Sequence, residues 1–534
     1  MMGLPLWSAL LLLPATYLAW VVHRLTTNYS IAKRVGVPVV VIPVDPESPL
    51  WMLTSDYLGP FIDCVLSWIP YGSGSFTRYA HRGWDVHDKA KSFLELGDAF
   101  ILVTTGKNWL YICNADTIME LLQRRKEFDR PVEIMGPPFG EPNMGLVWTE
   151  CIRQANEMLD YWKGCPDIRQ TGKDVRRFSL HVLTSTGFGK SYSFDRSTDE
   201  VSKEGGQLTY KDSLSLILEN AILVMLLGPN LLTGSLQRFL PKHWRLVGRA
   251  TNTFKKHIAE SIKEEKELMA EGKANKGNFI SAMVRASEED ARSYDPSTGQ
   301  HSHGLSEKEI FGNIFVFNFA GHDSIAITLT YVITHLAAHP EIQDWIAAEI
   351  NHVCKEQGAT TYRDAFPRLR RCTAVVYETL RTSTPFPAVV KTTGFAQRSI
   401  KVNDKNLDLP PGMNIISTFP SMNAHPRHWG DDASTWRPSR WISTNQEDSS
   451  SEKESSIFDR EILYTPPRGV FMPWSDGDRA CPGKKFAQVE LTGAVSALFK
   501  DYRVEPVPEN GESMESARKR TVDVIEDSGM VLFD

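Results

Sequence analysis

The chain has 534 residues, of which 42% are hydrophobic and 23% charged, enough for a substantial core in one large domain or about two or three ordinary ones. Its net charge of -6 carries no polybasic signature and argues against nucleic acid as a partner. Seven scattered cysteines (Cys64, Cys113, Cys151, Cys165, Cys354, Cys372, Cys481), an odd number without a CxxC pair, argue against a disulfide framework or a zinc site and point to a reducing compartment.

From Leu4 to Val22 the sequence is free of charge for 19 residues and then meets His23-Arg24. That length can cross a hydrocarbon core, and Pro14 is tolerable in a membrane helix. A cleaved signal peptide would want a basic n-region and a small-x-small site; neither is present, and the basic residues (Arg24, Lys33, Arg34) follow the run. Residues 1–24 therefore read as a transmembrane anchor with the body in the cytosol. The sequon Asn28-Tyr29-Ser30 then stays on the unglycosylated side. Residues 25–50, with Pro38, Pro43, Pro46 and Pro49, read as a stiff connector, and 51–534 as a single domain.

Residues 99–113 predict a hairpin, two β-rich apolar runs around Gly106-Lys107-Asn108. Helical periodicity dominates to about residue 385, and β-rich runs return at Ala388–Gly394 and Ile400–Phe419. The stretch before residue 305 and the stretch 443–456 are too polar to pack and read as surface loops. Leu214–Leu227 is apolar but too short to span; it reads as a core helix, with a membrane-dipping or substrate-entry surface as the alternative. Ile310–Ala338 is long enough for a second span, but Asn313, Asn318, His322 and Asp323 place it inside a large domain.

Four constellations carry chemistry. In Ala320-Gly321-His322-Asp323-Ser324 a small pair precedes an acid and an alcohol, which linked through water can relay protons; alone, the pentapeptide is also compatible with a helix kink. Glu378 and Arg381 lie three apart on one helical face among apolar residues, and a buried pair of that kind needs further partners. Trp436-Arg437-Pro438-Ser439-Arg440-Trp441 offers one in Arg440. Finally, FMPWSDGDRACPGKKF at 471–486 puts Cys481 just before Pro482-Gly483 and an amphipathic helix, a position that favours the metal-binding thiolate. Gly477 permits a tight turn there, and Arg479 offers charge to an anionic ligand.

In this order and spacing the motifs resemble the cytochrome P-450 superfamily of haem-thiolate monooxygenases. Trp474–Gly483 matches its cysteine signature with Trp for Phe, and Ala320–Ser324 its helix motif with Ser for Thr. Glu378–Arg381 and Trp436–Trp441 match the other two, and the run SLHVLTSTGFGKSYSF at 179–194 has a fungal flavour. The resemblance implies a mainly α fold with small β-sheets (α+β) and a haem whose iron is held by Cys481. It implies a structural triad of Glu378, Arg381 and Arg440, proton delivery by Asp323 and Ser324, and haem contacts from Trp474, Gly477, Arg479 and Lys391, the last facing a propionate. Its implied partners are O2, an apolar small molecule, membrane lipid and an NADPH-cytochrome reductase, with cytochrome b5 as a second electron donor, at the endoplasmic reticulum membrane. The expected reaction is monooxygenation in secondary metabolism; the alternatives are a haem-thiolate isomerase or dehydratase, or a haem-deficient inactive product.

One departure stands out. The superfamily carries W-x-x-x-R on a helix in its first third, where the two side chains hold propionates. Here Trp148 is followed four positions later by Ile152, and Arg153 is one step off the required face. FDRPVEIM and GPPFGEPNMGLVW read as two family segments joined directly, with roughly ten to fifteen residues, a helix's worth, missing near 129–150.

Overall fold

The computed structural model describes residues 6–46, 51, 74–80, 83–124, 127–128, 144–189, 191–194, 208, 210–220, 224, 231–272, 278–292, 294–295, 300–301, 305–444, 456–477, 480–509 and 511–527. Helix α1 (Leu6–Lys33) opens the chain. It does not stop at Arg24. Thr26 and Thr27 bond back to the carbonyls of Val22 and His23, and Ser30 to that of Thr27, so the first third of the expected connector is helical. Strand β1 (Val39–Val41) takes a further part of it.

The predicted hairpin is present as β2 (Ala99–Val103) and β3 (Asn108–Ile112), buried at every position because the sheet is covered on both faces. Helix α2 (Ala115–Gln123) follows, capped by the Asn114 side chain, which accepts from Thr117 N at 3.0 Å. The later β-rich runs become β4 (Ala388–Thr392), β5 (Arg398–Val402), β6 (Lys405–Leu409) and β7 (Asn414–Thr418). Five strands make one sheet in the order β1-β2-β3-β7-β4, so strands from the second half of the chain complete a sheet begun near its start; β5 and β6 form a separate hairpin.

The helical body contains α3 (Met144–Lys163), α4 (Thr171–Phe188), α5 (Lys242–Ala270), α6 (Glu307–Ala338), α7 (Arg370–Thr382), α8 (Lys484–Leu498) and α9 (Met514–Asp527). Helix α6 starts at a reciprocal cap: Ser306 Oγ accepts from Glu309 N, and Glu309 Oε2 accepts from Ser306 N at 2.8 Å. It is long and apolar enough to cross a membrane, yet it runs through the body, packed against α4, α7, α8 and α9. Its core, shared with Trp148, Phe178, Phe254 and Val489, is separate from the sheet's own core around Phe100, Leu110 and Ile415. Leu214, Ile217 and Leu218 are buried in the helical core, in line with a core helix; residues 221–223 and 225–227 lie outside the described residues. So do residues 129–143, where the junction of the two family segments falls, and 445–455 of the polar loop.

Candidate active site

The cysteine loop folds onto itself before α8 begins. Ser475 N donates to Met472 O, Ala480 N to Gly477 O, and Cys481 N to Trp474 O at 2.7 Å. Gly477 has φ +73°, and a Cβ there would come within 3.3 Å of Leu122 O at the end of α2, so the turn asks for glycine twice over. Trp474 packs edge-on to Tyr377 and Phe471, with the Lys484 ammonium 5.7 Å from its ring centre. Arg479 lies outside the described residues.

Cys481 keeps an open side, whereas Cys113, Cys151 and Cys372 are buried. The protein around its sulfur raises its thiol above the ordinary range, and the Gly483 N–H pulls it the other way. The expectation that the helix start alone favours a thiolate is thus corrected: in the polypeptide by itself burial outweighs the hydrogen bond. A cation at the sulfur would reverse that balance.

On α6, Ala320 is exposed and Ser324 Oγ donates to the Ala320 carbonyl at 2.6 Å, one turn back. Asp323 does not meet Ser324. Its Oδ1 accepts from Arg176 Nε on α4 at 2.9 Å, and both side chains keep access to solvent. His322, buried beside them, is pushed down to about 4 by burial, against the pull of Asp323. The acid and the alcohol therefore share a turn but point to different partners. Nothing in the local sequence announces Arg176, which comes from 147 residues upstream.

The second constellation and Arg440 from the third form one cluster. Arg381 grips Glu378 in a bidentate pair, both contacts at 2.8 Å, and Arg440 Nε donates to Glu378 Oε1 at 2.9 Å. Trp441 Nε1 and the backbone N–H of Arg437 fill the remaining lone pairs of Glu378. Arg381 spends its other donors on the carbonyls of Asn423, Ala433 and Thr435. A charge pair this deep persists only when every lone pair and proton is matched, and here they are. The share of Trp441 went unread in the sequence, although it stands in the motif.

The described residues expected or considered at the propionates each have protein partners. Lys391 is buried in β4 and its Nζ donates to Phe128 O at 3.2 Å. On α3, Trp148 Nε1 donates to Thr360 O at 2.9 Å. Arg153 pairs with Glu150 and Glu157 and donates to Ser191 Oγ and Tyr192 O.

The cytochrome P-450 family model matches residues 133–533. The chain belongs to the cytochrome P-450 family. It is 27% identical to a cytochrome P-450 monooxygenase of Arthrobotrys oligospora, over 96% of this chain and 93% of that one. It is 25% identical to the phomenoic acid biosynthesis cluster cytochrome P-450 monooxygenase of Leptosphaeria maculans, over 91% of this chain and 90% of that one. Among solved structures, the cytochrome P-450DA heme domain superposes with a TM-score of 0.57, covering 80% of this chain and 89% of that one at 18% identity, a likeness of fold.

Membership implies a thiolate-ligated haem, and the iron side of the site suits one. Cys481 presents an open sulfur already served by a backbone N–H, and at its small-residue turn α6 leaves Ala320 exposed. On the propionate side, the described candidates Lys391, Trp148 and Arg153 already hold protein partners.

Proposed function

We propose that the chain is a membrane-anchored monooxygenase that inserts one oxygen atom of O2 into an apolar small molecule and reduces the other to water, with two electrons from NADPH passed on by a flavoprotein reductase or cytochrome b5. The observation that carries this reading is the Cys481 loop: an open sulfur, taking the Gly483 N–H, at the head of α8 in a P-450 chain. Bound haem would supply the oxygen chemistry. Cys481 would ligate its iron, while Trp474 and Gly477 shape the loop behind the sulfur. Ser324 and Asp323 would pass protons, which requires Asp323 to leave Arg176 or to work through water. Arg479 and Lys391 would hold propionates, the Lys391 ammonium while it donates to Phe128 O.

The anchor would be residues 1–24 of α1, in the endoplasmic reticulum membrane with the domain on the cytosolic side. A place in secondary metabolism is supported by the biosynthetic-cluster relative in Leptosphaeria maculans. Asn28 stays unmodified on this reading, and its amide is in any case engaged with Thr104 O.

A second reading, a chain that holds haem poorly, is favoured by the commitments of Trp148, Arg153 and Lys391 elsewhere and by the direct junction near 129–150. A carbon-monoxide difference spectrum of the reduced protein in microsomes separates the two. A strongly red-shifted Soret band supports the monooxygenase. Its absence, with recovery when a W-x-x-x-R segment is inserted after Met135, shows that the gap is what disables the site. Absence without recovery overturns the Cys481 assignment.

A further inference from the structure

A line of indole and phenol rings leads away from the cysteine loop. Trp474, whose carbonyl takes the Cys481 N–H, lies edge-on to Tyr377 on α7, with ring centres 5.8 Å apart. Tyr377 meets Trp441 edge-on at 5.3 Å, and Trp441 meets Tyr464 at 6.5 Å. There the line reaches water: Trp441 is fully buried, whereas Tyr464 is 42% exposed. The strand pair Ile442–Thr444 and Glu461–Leu463 holds the last two rings together, and Tyr464 N extends it by donating to Trp441 O at 2.7 Å. Packing alone asks only for rings. Phe471, against Trp474, Tyr377 and Trp441, shows that a plain one fits there. Trp474 itself stands where the superfamily signature has Phe. What tryptophan and tyrosine add is a polar handle and the capacity to give up one electron, which a phenylalanine ring lacks.

The surroundings favour a positive charge on this line and oppose it on a side branch. Trp441 Nε1 donates to Glu378 Oε2 at 2.9 Å, so a carboxylate in a dry site steadies an electron vacancy on that indole. Trp429 is as close to Trp441, at 5.3 Å, but the Arg381 guanidinium lies 5.1 Å from its ring centre and opposes positive charge there. Tyr377 rests as a neutral phenol: burial pushes its pKa up to about 12, and its hydroxyl accepts from Gln488 Nε2. A half-turn of that amide brings Oε1 round to hold the phenol proton while the ring is oxidised.

We propose that Trp474, Tyr377, Trp441 and Tyr464 form an electron relay that discharges oxidising equivalents from the haem site to the surface, where a low-molecular-weight thiol reduces Tyr464 again; this rests on the haem-thiolate reading above. The relay serves turnovers in which a hydroperoxide reaches the site and no organic substrate takes the oxygen. Electrons step inward one at a time, from Tyr464 through Trp441 and Tyr377 to Trp474. Tyr464 gives its hydroxyl proton to water as its electron leaves, and the phenoxyl then takes a hydrogen atom from the thiol. Two such passages oxidise two thiols to one disulfide and, with hydrogen peroxide as oxidant, break its O–O bond to give two waters. The two protons released at Tyr464 balance the two taken up by the peroxide oxygens. The reducing compartment expected from the cysteine usage supplies the thiol.

The test uses the full chain purified with haem bound, given hydrogen peroxide and a nitroso spin trap without an organic substrate. Trapped residues are located by peptide mass spectrometry. Tyr29 and Tyr502, 42% and 45% exposed and without an aromatic neighbour among the described residues, serve as controls. An adduct at Tyr464 several-fold above both is expected, and added glutathione should suppress it while being oxidised to its disulfide. Tyr377→Phe and, separately, Trp474→Phe keep a ring in place and should each cut the Tyr464 adduct several-fold. A Tyr464 adduct no stronger than the controls, one that glutathione leaves untouched, or one unchanged in either variant that binds haem overturns the relay while the haem-thiolate reading stands. A parent chain without the red-shifted Soret band of its carbon-monoxide complex refutes that reading, and the relay with it.

Discussion

Glu378 and Asp323 make a useful pair. Each is a carboxylate on a long helix, each belongs to a motif legible in the sequence, and each is met by an arginine at just under 3 Å. Around Glu378 the two arginine side chains are almost fully buried, and tryptophan and backbone donors complete its shell. Around Asp323 the arginine is 43% exposed and the carboxylate 20%, in a single ion pair with Arg176 among the described residues. Burial with complete satisfaction makes the first cluster a part of the fold, whereas partial exposure leaves the second pair able to open.

The largest expected effect falls on chemistry alone. Cys481→Ser should abolish turnover and the thiolate signature in the carbon-monoxide spectrum, yet leave thermal unfolding of the polypeptide within error, because a serine oxygen can accept the Gly483 N–H that the sulfur takes. Retained turnover would sink the ligand assignment. Glu378→Ala should do the opposite kind of damage. It leaves Arg381 and Arg440 without their carboxylate in a closed site, a loss of about 3–5 kcal/mol by the measure of broken buried pairs, read as a large drop in Tm or failure to accumulate. Arg381→Lys should not rescue the cluster, since an ammonium cannot reproduce the two-pronged grip and the three carbonyl contacts. A lysine variant as stable as the parent would mean that the triad is ornamental.

How much of this could be read beforehand follows the same division. The triad, the cysteine loop and the β2–β3 hairpin were legible because each is encoded within a few residues, or by a pattern strict enough to be met once. The pairing of Asp323 with Arg176 was not, because it is made by the packing of α4 on α6 and has no local signature. The commitment of Lys391 to Phe128 O was hidden for the same reason. A lysine on a strand shows its charge in the sequence, but the carbonyl it finds belongs to a turn 263 residues away. The extension of α1 into the first third of the connector was not legible, because the apolar run ends at His23-Arg24, whereas the helix is continued by a buried stripe through Val21, Asn28 and Ala32 that docks on the sheet. The thiol of Cys481 was read from the helix start, and the opposing cost of burial needs the packed loop to be seen.

Between the two extremes stands His335, also on α6, buried and stacked face to face on Trp436 at 4.6 Å. Burial pushes its pKa down from 6.5 to about 3. Its folded pKa is below its unfolded one, so the unfolded chain takes up the proton first, and stability present above pH 6.5 is lost as pH falls towards 3. Between pH 7.5 and 5 that amounts to about 2 kcal/mol. His335→Phe keeps the stack and should flatten the fall of Tm with acid over that interval. An unchanged slope would mean that His335 does not carry the acid sensitivity.

The smallest effect on stability, and the sharpest test of the comparison, lies at Arg176. Arg176→Met should change unfolding by no more than about 1 kcal/mol, since the pair is partly solvated. Product formed per O2 consumed should respond more. With Arg176 gone, the Asp323 carboxylate is free to turn towards the side of Ser324, and coupling should rise; Asp323→Asn should lower it, and Ser324→Ala should lower it as well. The double variant Arg176→Met, Asp323→Asn should behave as Asp323→Asn alone, because the arginine acts only through the carboxylate. If Arg176→Met alters coupling to the same extent with and without Asp323, the arginine works by packing. In that case the half-open pair is a surface ion bridge, and Asp323 and Ser324 need another account of how they meet.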